Sequence, residues 1–146
     1  MSLAKGQQLV TIQLRSTIED EEETAIHTTE HKGRYYHKDH VDILIFEEYL
    51  EGEKVNNLIT IHTDKVNIKR SGVIGMNQRF EVNQTTESYY QHQFGQFHME
   101  THTESIEYQS LHMYDIGKLM IVYTVTLNGE IERNHVLELT YYEEGI

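Results

Sequence analysis

The sequence predicts an all-β protein that folds as a single closed antiparallel β-barrel of about eight to ten strands. Apolar and polar residues alternate through most of the chain, as in Leu9–Ile18, where Val10, Ile12 and Leu14 share one face. Short strands separated by turn residues every ~8–12 positions are typical of a sandwich or a barrel. Closure is favoured because one open sheet of this length would leave exposed edges.

The individual strands follow from the same alternation between clusters of turn residues. They are predicted at Leu9–Ile18, Thr24–Lys32, Arg34–His37, Asp42–Tyr49, Val55–Thr63, Val66–Ser71, Met76–Val82, Thr86–Phe94, Phe97–Tyr108, Leu119–Leu127 and Ile131–Tyr142. The two strands beside Gly33 could form one bent strand, and a short helical turn would fit in Ser105–Tyr114. Asn128-Gly129 predicts a two-residue type I′ turn with positive φ at both positions.

Composition limits the classes of protein and of partner. The chain, residues 1–146, fits one domain, and residues 1–7 are expected to be disordered or to derive from cloning. A net charge of −12 argues against nucleic acid and anionic membranes as partners. The chain has no cysteine, no apolar run long enough to span a bilayer and no apolar signal segment. We therefore expect a cytoplasmic protein.

Several short motifs give the chain a likeness to a known family. The most specific is Arg70-Ser71-Gly72 followed by Met76-Asn77-Gln78-Arg79-Phe80. Supporting matches are Ser16-x-Ile18-Glu19-Asp20, Gly33-x-Tyr35-Tyr36, Glu47-Glu48, Phe94-Gly95 and Thr140-Tyr141. With these motifs, the sequence resembles the YwiB-like family of uncharacterised bacterial proteins. The resemblance implies a lipocalin-like (calycin-like) closed barrel, and it implies no reaction because the family has no assigned activity.

Counting by two from the apolar positions places several polar side chains on the faces expected to line the barrel interior. Arg70 continues the face of Ile68, and Ser105 shares the face of Thr101 and Thr103. The candidates for the lumen are Arg70, Gln78, Tyr90, His92, Thr101, Thr103, Tyr123, Arg133 and His135. Polar groups that converge inside a barrel are what a small-ligand site requires.

Arg70 has two interpretations. A guanidinium cannot lose its proton in a protein, so an interior arginine needs a partner or water. As a ligand-binding group, it would match a carboxylate or a phosphate, and Gln78 would add a donor and an acceptor. Alternatively, Arg70 pairs with a buried glutamate or lies at a mouth of the barrel.

No motif indicates a metal, a cofactor or a reaction, and we expect neither a metal nor a cofactor. His98 and His102 stand four residues apart on one strand, about 13 Å, which is too far to chelate one ion. His37-x-x-His40 lacks an evident third ligand for zinc. The residue types would permit a Ser-His-Asp triad, but no spacing favours one.

Three functions remain open from the sequence. The first is a non-enzymatic module that binds a small, anionic ligand in the lumen. The second is a protein-interaction or structural module with a filled interior, for which a homodimer is one arrangement. The third, less favoured, is an enzyme. An open polar lumen would support the first function, and a packed interior with a large exposed apolar patch would support the second.

Overall fold

The structure, a computed structural model, describes residues 6–144, which form ten strands. The strands are β1 (Gln8–Glu19), β2 (Thr24–Lys38), β3 (Val41–Leu50), β4 (Glu53–Ile61), β5 (Lys65–Gly72), β6 (Gly75–Glu81), β7 (Thr85–His92), β8 (Gly95–Gln109), β9 (Gly117–Leu127) and β10 (Ile131–Glu143). The part of the N-terminal prediction that concerns residues 1–5 lies outside the described residues.

Consecutive strands pair antiparallel, and β10 pairs with β1 to close the barrel. The prediction of a closed antiparallel barrel of eight to ten strands is therefore confirmed. A barrel of about eight strands is just wide enough for side chains to fill it, so ten strands enclose more space. Large apolar side chains occupy much of this interior, including Phe46, Phe80 and Tyr141.

Two seams of the barrel wall are only partly paired: β6 and β7 share the single pair Gly75 with Gln91, and β2 and β3 pair along part of their length. The β2–β3 ladder covers only residues Gly33 to Lys38 of β2, paired with Val41 to Phe46. Strand β2 is continuous, as the bent-strand prediction allowed, and Gly33 is where β3 approaches it closely. A Cβ at Gly33 would meet Ile45 O at 2.6 Å. Beyond this point, Thr24–Lys32 pairs with β1 alone among the described residues.

The turn between β9 and β10 has positive φ at the two predicted positions, but its predicted length of two residues was wrong. Asn128 and Gly129 have φ of 51° and 70°, which confirms positive φ at both positions. Glu130 N donates to Leu127 O at 3.0 Å. Because Leu127 pairs with Ile131, Glu130 is an extra residue and the connection has three residues rather than two.

The C-terminal half of β8 departs from the sequence prediction. Strand β8 continues to Gln109, so the expected helical turn is reduced to the bonds from Met113 N and Tyr114 N to Ser110 O. A register shift between Thr103 and Ser105 inserts one residue into the strand. The prediction that Ser105 shares the Thr103 face was wrong, because such a bulge reverses every later side chain.

The two ends of the barrel differ in how far solvent reaches inward. We call the end that carries the loop at residues 110–116 the closed end, since interior residues such as Tyr35 and Tyr141 are buried there. We call the opposite end, which carries the β1–β2 and β9–β10 turns, the open end. Its inward-facing residues Leu14, Met76 and Leu127 are only partly buried. None of the described residues forms a helix that could cross a membrane.

Candidate functional site

The closed end is built around one buried carboxylate. Asp42 is 4% exposed, and its Oδ1 accepts hydrogen bonds from Tyr35 OH at 2.9 Å and from His37 Nδ1 at 2.6 Å. Its Oδ2 accepts from Tyr108 OH and Ser110 Oγ. These donors come from β2, β8 and the loop that follows β8. The Asp42 network therefore ties three parts of the chain across the end of the barrel.

The protonation states at the closed end follow from this bonding. Burial acts to raise the pKa of Asp42, but hydrogen bonds from Ser110, Tyr108, His37 and Tyr35 outweigh it, and its pKa lies below the ordinary value. Burial, together with the Asp42 carboxylate, raises the pKa of Tyr35 to about 12. Burial likewise raises the pKa of Tyr108. The phenols consequently stay protonated as donors, and Asp42 stays ionised as their acceptor.

The closed end also brings together a serine, a histidine and an aspartate. Ser110 Oγ donates to Asp42 rather than to His37, so the histidine does not link the other two as a catalytic base would. His37 instead stacks on His112 with ring centroids 3.9 Å apart. The arrangement satisfies polar groups and does not activate a nucleophile.

The open end contains a second polar group, formed by Glu48, Asn57 and Arg70. Arg70 Nη2 donates to Glu48 Oε1, and Asn57 Nδ2 donates to the same oxygen at 3.0 Å. The side chains of Arg70 and Glu48 are 22% and 20% exposed. Arg70 therefore faces inward and has a glutamate partner, as one of its two interpretations required. It also stays within reach of solvent.

A line of aromatic rings runs along the rim of the open end, on β7, β8 and the turn between them. His92 lies between Phe94, at 5.1 Å between ring centroids, and Tyr90, at 6.4 Å. Tyr90 also lies 6.4 Å from Phe97, its cross-strand partner. The ladder pair of Gly75 with Gln91 places β7 next to β6, whose Met76 is the cross-strand partner of Arg70. The aromatic rings thus lie on the two strands that follow β6, at the same end of the barrel as the guanidinium.

The remaining inward-facing candidates lie deeper and are packed. Gln78 Nε2 donates to Thr101 Oγ1 at 2.9 Å, and both residues are buried. Thr103 is fully buried, and its Oγ1 has no hydrogen-bond partner among the described residues. A buried hydroxyl without a partner loses the hydrogen bonds that water would supply. These groups make the interior below the open end polar on its β6–β8 side.

Tyr123, His135 and Arg133 lie on β9 and β10. Tyr123 is buried between Phe80, at 4.8 Å between ring centroids, and His135, which stacks on it at 5.0 Å. Burial and nearby Arg133 lower the pKa of His135 to about 4, so its imidazole is neutral near pH 7. Arg133 itself is exposed at the rim and lies 3.8 Å from Asp20 in an ion pair, rather than in the lumen.

The sequence interpretation did not identify the Asp42 network or the roles of Glu48 and Asn57. The signal was present, because Asp42 alternates with Leu44 and Phe46, which are buried inside the barrel. The same count of two would have turned Glu48 inward. Only the three-dimensional arrangement shows which donors reach these carboxylates.

One group on the outer wall could hold a metal ion. Ligand atoms of Glu87, His98 and Glu100 lie within 4.8 Å of one another across β7 and β8. The sequence interpretation considered pairs of histidines, along one strand and in His37-x-x-His40, and therefore did not consider this set of two glutamates and a histidine. It lies on the outer face, away from the polar groups of both ends.

A ten-stranded antiparallel barrel that is closed at one end by the hydrogen-bonded Asp42 network and open at the other is a lipocalin-like architecture. The chain belongs to the family described as a domain of unknown function, DUF1934, whose profile matches residues 12–139. It is 30% identical over 132 residues to the uncharacterised β-barrel protein YwiB of Bacillus subtilis strain 168, covering 90% of this chain and 92% of that protein. The crystal structure of YwiB superposes with a TM-score of 0.84 at 27% identity, covering 95% of this chain and 94% of that one. The resemblance to the YwiB-like family is confirmed.

Proposed function

We propose that the protein binds a small molecule at the open end of the barrel, without catalysing a reaction on it. The ligand combines an aromatic or apolar body with a carboxylate, phosphate or similar anionic group. The observation that carries the proposal is Arg70, an inward-facing arginine whose side chain is 22% exposed and, within residues 6–144, makes one hydrogen bond, to Glu48.

The chemistry of Arg70 favours an anionic group that accepts hydrogen bonds. A guanidinium has five N–H donors in a planar fork, and Glu48 uses one of them. The donors that remain can bind a carboxylate or phosphate in bidentate geometry. Because Glu48 already offsets the charge of Arg70, ligand binding would depend on these directed hydrogen bonds as much as on net charge.

The aromatic line on the rim favours an apolar body. Tyr90 and Phe97 are half-exposed at the same end of the barrel as Arg70, and Phe94 is 83% exposed at the tip of the β7–β8 hairpin. Ligand sites are mostly apolar with a few convergent polar groups, which matches this combination. We expect the site to operate in the cytoplasm, where a cysteine-free chain is suited to the reducing conditions.

The probe for this site is 8-anilinonaphthalene-1-sulfonate, which is aromatic and anionic and becomes fluorescent in an apolar site. We expect saturable binding to the native protein and about tenfold weaker binding to Arg70→Leu, since a charge-assisted hydrogen bond is lost. Arg79→Leu is the matched control, because Arg79 is exposed and lies on the outer face of β6. Equal affinity of both variants and the native protein would contradict the proposal.

The alternative, a protein-interaction module with a filled interior, is favoured by the packing below the open end. The buried core cluster continues across the barrel from Ile12 and Leu44 to Phe80 and Ile121. Native mass spectrometry of the purified protein separates the two functions. A retained small molecule supports ligand binding, and a ligand-free oligomer supports the alternative.

A further inference from the structure

Three side chains on the outer wall, which we call the outer-wall site, come from two adjacent strands and meet at one place. His98 and Glu100 are two residues apart on β8, so they share its outer face. Glu87 stands directly opposite Glu100 on β7. One oxygen or nitrogen atom from each of the three side chains lies within 4.8 Å of the other two. The ladder of β7 with β8 thus assembles two carboxylates and an imidazole.

The spacing of these atoms is close to the spacing of ligands around a zinc ion. Metal–ligand bonds of about 2.0–2.2 Å in a tetrahedron put neighbouring ligand atoms about 3.3–3.6 Å apart. His98 Nε2 lies 3.8 Å from Glu87 Oε1. The Glu87 side chain is 71% exposed, so it is free to rotate and bring its oxygen closer to the other two ligand atoms.

The charges at the outer-wall site favour a cation independently of this spacing. Like charges directly opposite each other on neighbouring strands destabilise a sheet, and Glu87 faces Glu100 in this way. Within residues 6–144, neither carboxylate forms an ion pair with a lysine or an arginine. The pair of His98 with Glu87 counts as ionic only when the imidazole is protonated. A divalent cation would offset both carboxylates and take a neutral imidazole as its third ligand.

The histidine of the outer-wall site is held in place by contacts outside it. His98 N donates to Asn128 Oδ1 at 2.9 Å, and Asn128 N donates to His98 O at 2.8 Å. Tyr89, the cross-strand partner of His98, packs edge-on against the imidazole with ring centroids 5.4 Å apart. Because these contacts restrict the imidazole in advance, less conformational entropy is lost when an ion binds.

We propose that Glu87, His98 and Glu100 bind a divalent transition-metal ion of the zinc type, with water completing its coordination. Zinc is bound by histidine nitrogen and glutamate oxygen, and at sites open to solvent it takes three protein ligands and a water. Magnesium and calcium prefer oxygen ligands alone, so the imidazole nitrogen favours zinc over both.

Isothermal titration calorimetry of the tag-free protein with zinc chloride near neutral pH is the first test. We expect zinc to bind at least about tenfold more weakly to His98→Gln and to Glu100→Gln, since each variant lacks one of three ligands. His102→Gln and Glu104→Gln are the matched controls, because both residues are exposed on β8 and lie outside the site. The two control variants should bind zinc as the native protein does. Magnesium chloride should bind far more weakly than zinc.

The second test identifies the ligand in the native protein, which has ten histidines. In proton–nitrogen correlation spectra of the imidazole rings, zinc should shift the signals of His98 before those of any other histidine, with the His98→Gln spectrum giving the assignment. No zinc binding up to about 1 mM would overturn the proposal. So would zinc affinity that His98→Gln and Glu100→Gln leave unchanged, a different histidine that shifts first, or magnesium bound as tightly as zinc, since charge alone would then attract the ion.

Discussion

The two ends of the barrel each contain an inward-facing carboxylate, and the comparison between them separates structural bonding from binding capacity. Asp42 at the closed end is 4% exposed and accepts four hydrogen bonds. Glu48 at the open end accepts from Arg70 and Asn57, and its side chain is 20% exposed. At the closed end the hydrogen-bonding groups are occupied by one another. At the open end, an arginine with spare donors reaches solvent.

The difference has a cause in the strands and their side chains. At the closed end, Tyr35, Tyr108 and Tyr141 are long enough to extend across the barrel and end in hydroxyls. Toward the open end, the ladder between β2 and β3 stops at Gly33 and Phe46, and the inward-facing Glu48 beyond it is polar. A ten-stranded barrel can therefore be filled by side chains at one end and have an interior accessible to solvent at the other.

The largest effect should come from removing the carboxylate of the closed end. Asp42→Ala leaves three hydroxyls and an imidazole around an empty, buried position, and we expect the free energy of unfolding to fall by about 3–5 kcal/mol. Urea denaturation measures this loss. Asp115→Ala, in the exposed part of the loop at residues 110–116, should change the midpoint little. An Asp42→Ala variant as stable as the native protein would show that the network is not structural.

The next effect concerns how Tyr141 is positioned. A Cβ at Gly117 would fall on the ring of Tyr141, whose hydroxyl bonds Tyr108. Gly117→Ala should therefore displace the ring and cost about 2 kcal/mol, as overpacking in a core usually does. Gly75→Ala is the control, because its Cβ would approach only Gln91, no closer than 3.5 Å. Equal unfolding midpoints would mean that the ring can move aside freely.

At the open end, Arg70→Leu should affect stability less than Asp42→Ala does. A fully buried glutamate left without its partner would cost about 3–5 kcal/mol. Glu48 is partly exposed and keeps Asn57, so we expect about 1–2 kcal/mol in urea denaturation. Glu48→Gln combined with Arg70→Leu should recover part of this loss. A loss as large as that of Asp42→Ala would remove the distinction between the two ends.

These comparisons also show how far the sequence predicts the molecule. The strands and the Asn128-Gly129 turn depend on local alternation and local backbone preference, so they could be predicted. The inward direction of Arg70 and Gln78 followed from the same count. Ser105 could not be placed, because a bulge has no clear local signal in the sequence.

The partners of the inward-facing polar groups were beyond the sequence for a different reason. Asp42 meets Tyr108 and Ser110 only because the barrel closes and sets β3 and β8 at the same end, more than sixty residues apart in the chain. Arg70 meets Glu48 across two ladders, β3 with β4 and β4 with β5. Alternation gives the face on which a side chain lies, and closure decides what it touches there.

The smallest effect is expected from His135, and it appears as a dependence on pH. Burial, then Arg133, lowers its pKa from 6.5 to about 4 in the folded protein. Between these pH values the unfolded chain binds a proton that the folded chain does not, so stability should fall as the pH drops from 6.5 to about 4. The imidazole is partly exposed, so solvent screens the effect. His135→Phe retains an aromatic ring to stack on Tyr123 and cannot titrate, so denaturation midpoints over this range should fall less steeply than in the native protein.

Both proteins are also compared at pH 7.5, where the imidazole is neutral in either state and any difference reports packing alone. Parallel pH profiles would show that His135 takes up its proton as readily in the barrel as in the unfolded chain, and that water reaches this side of the open end as well.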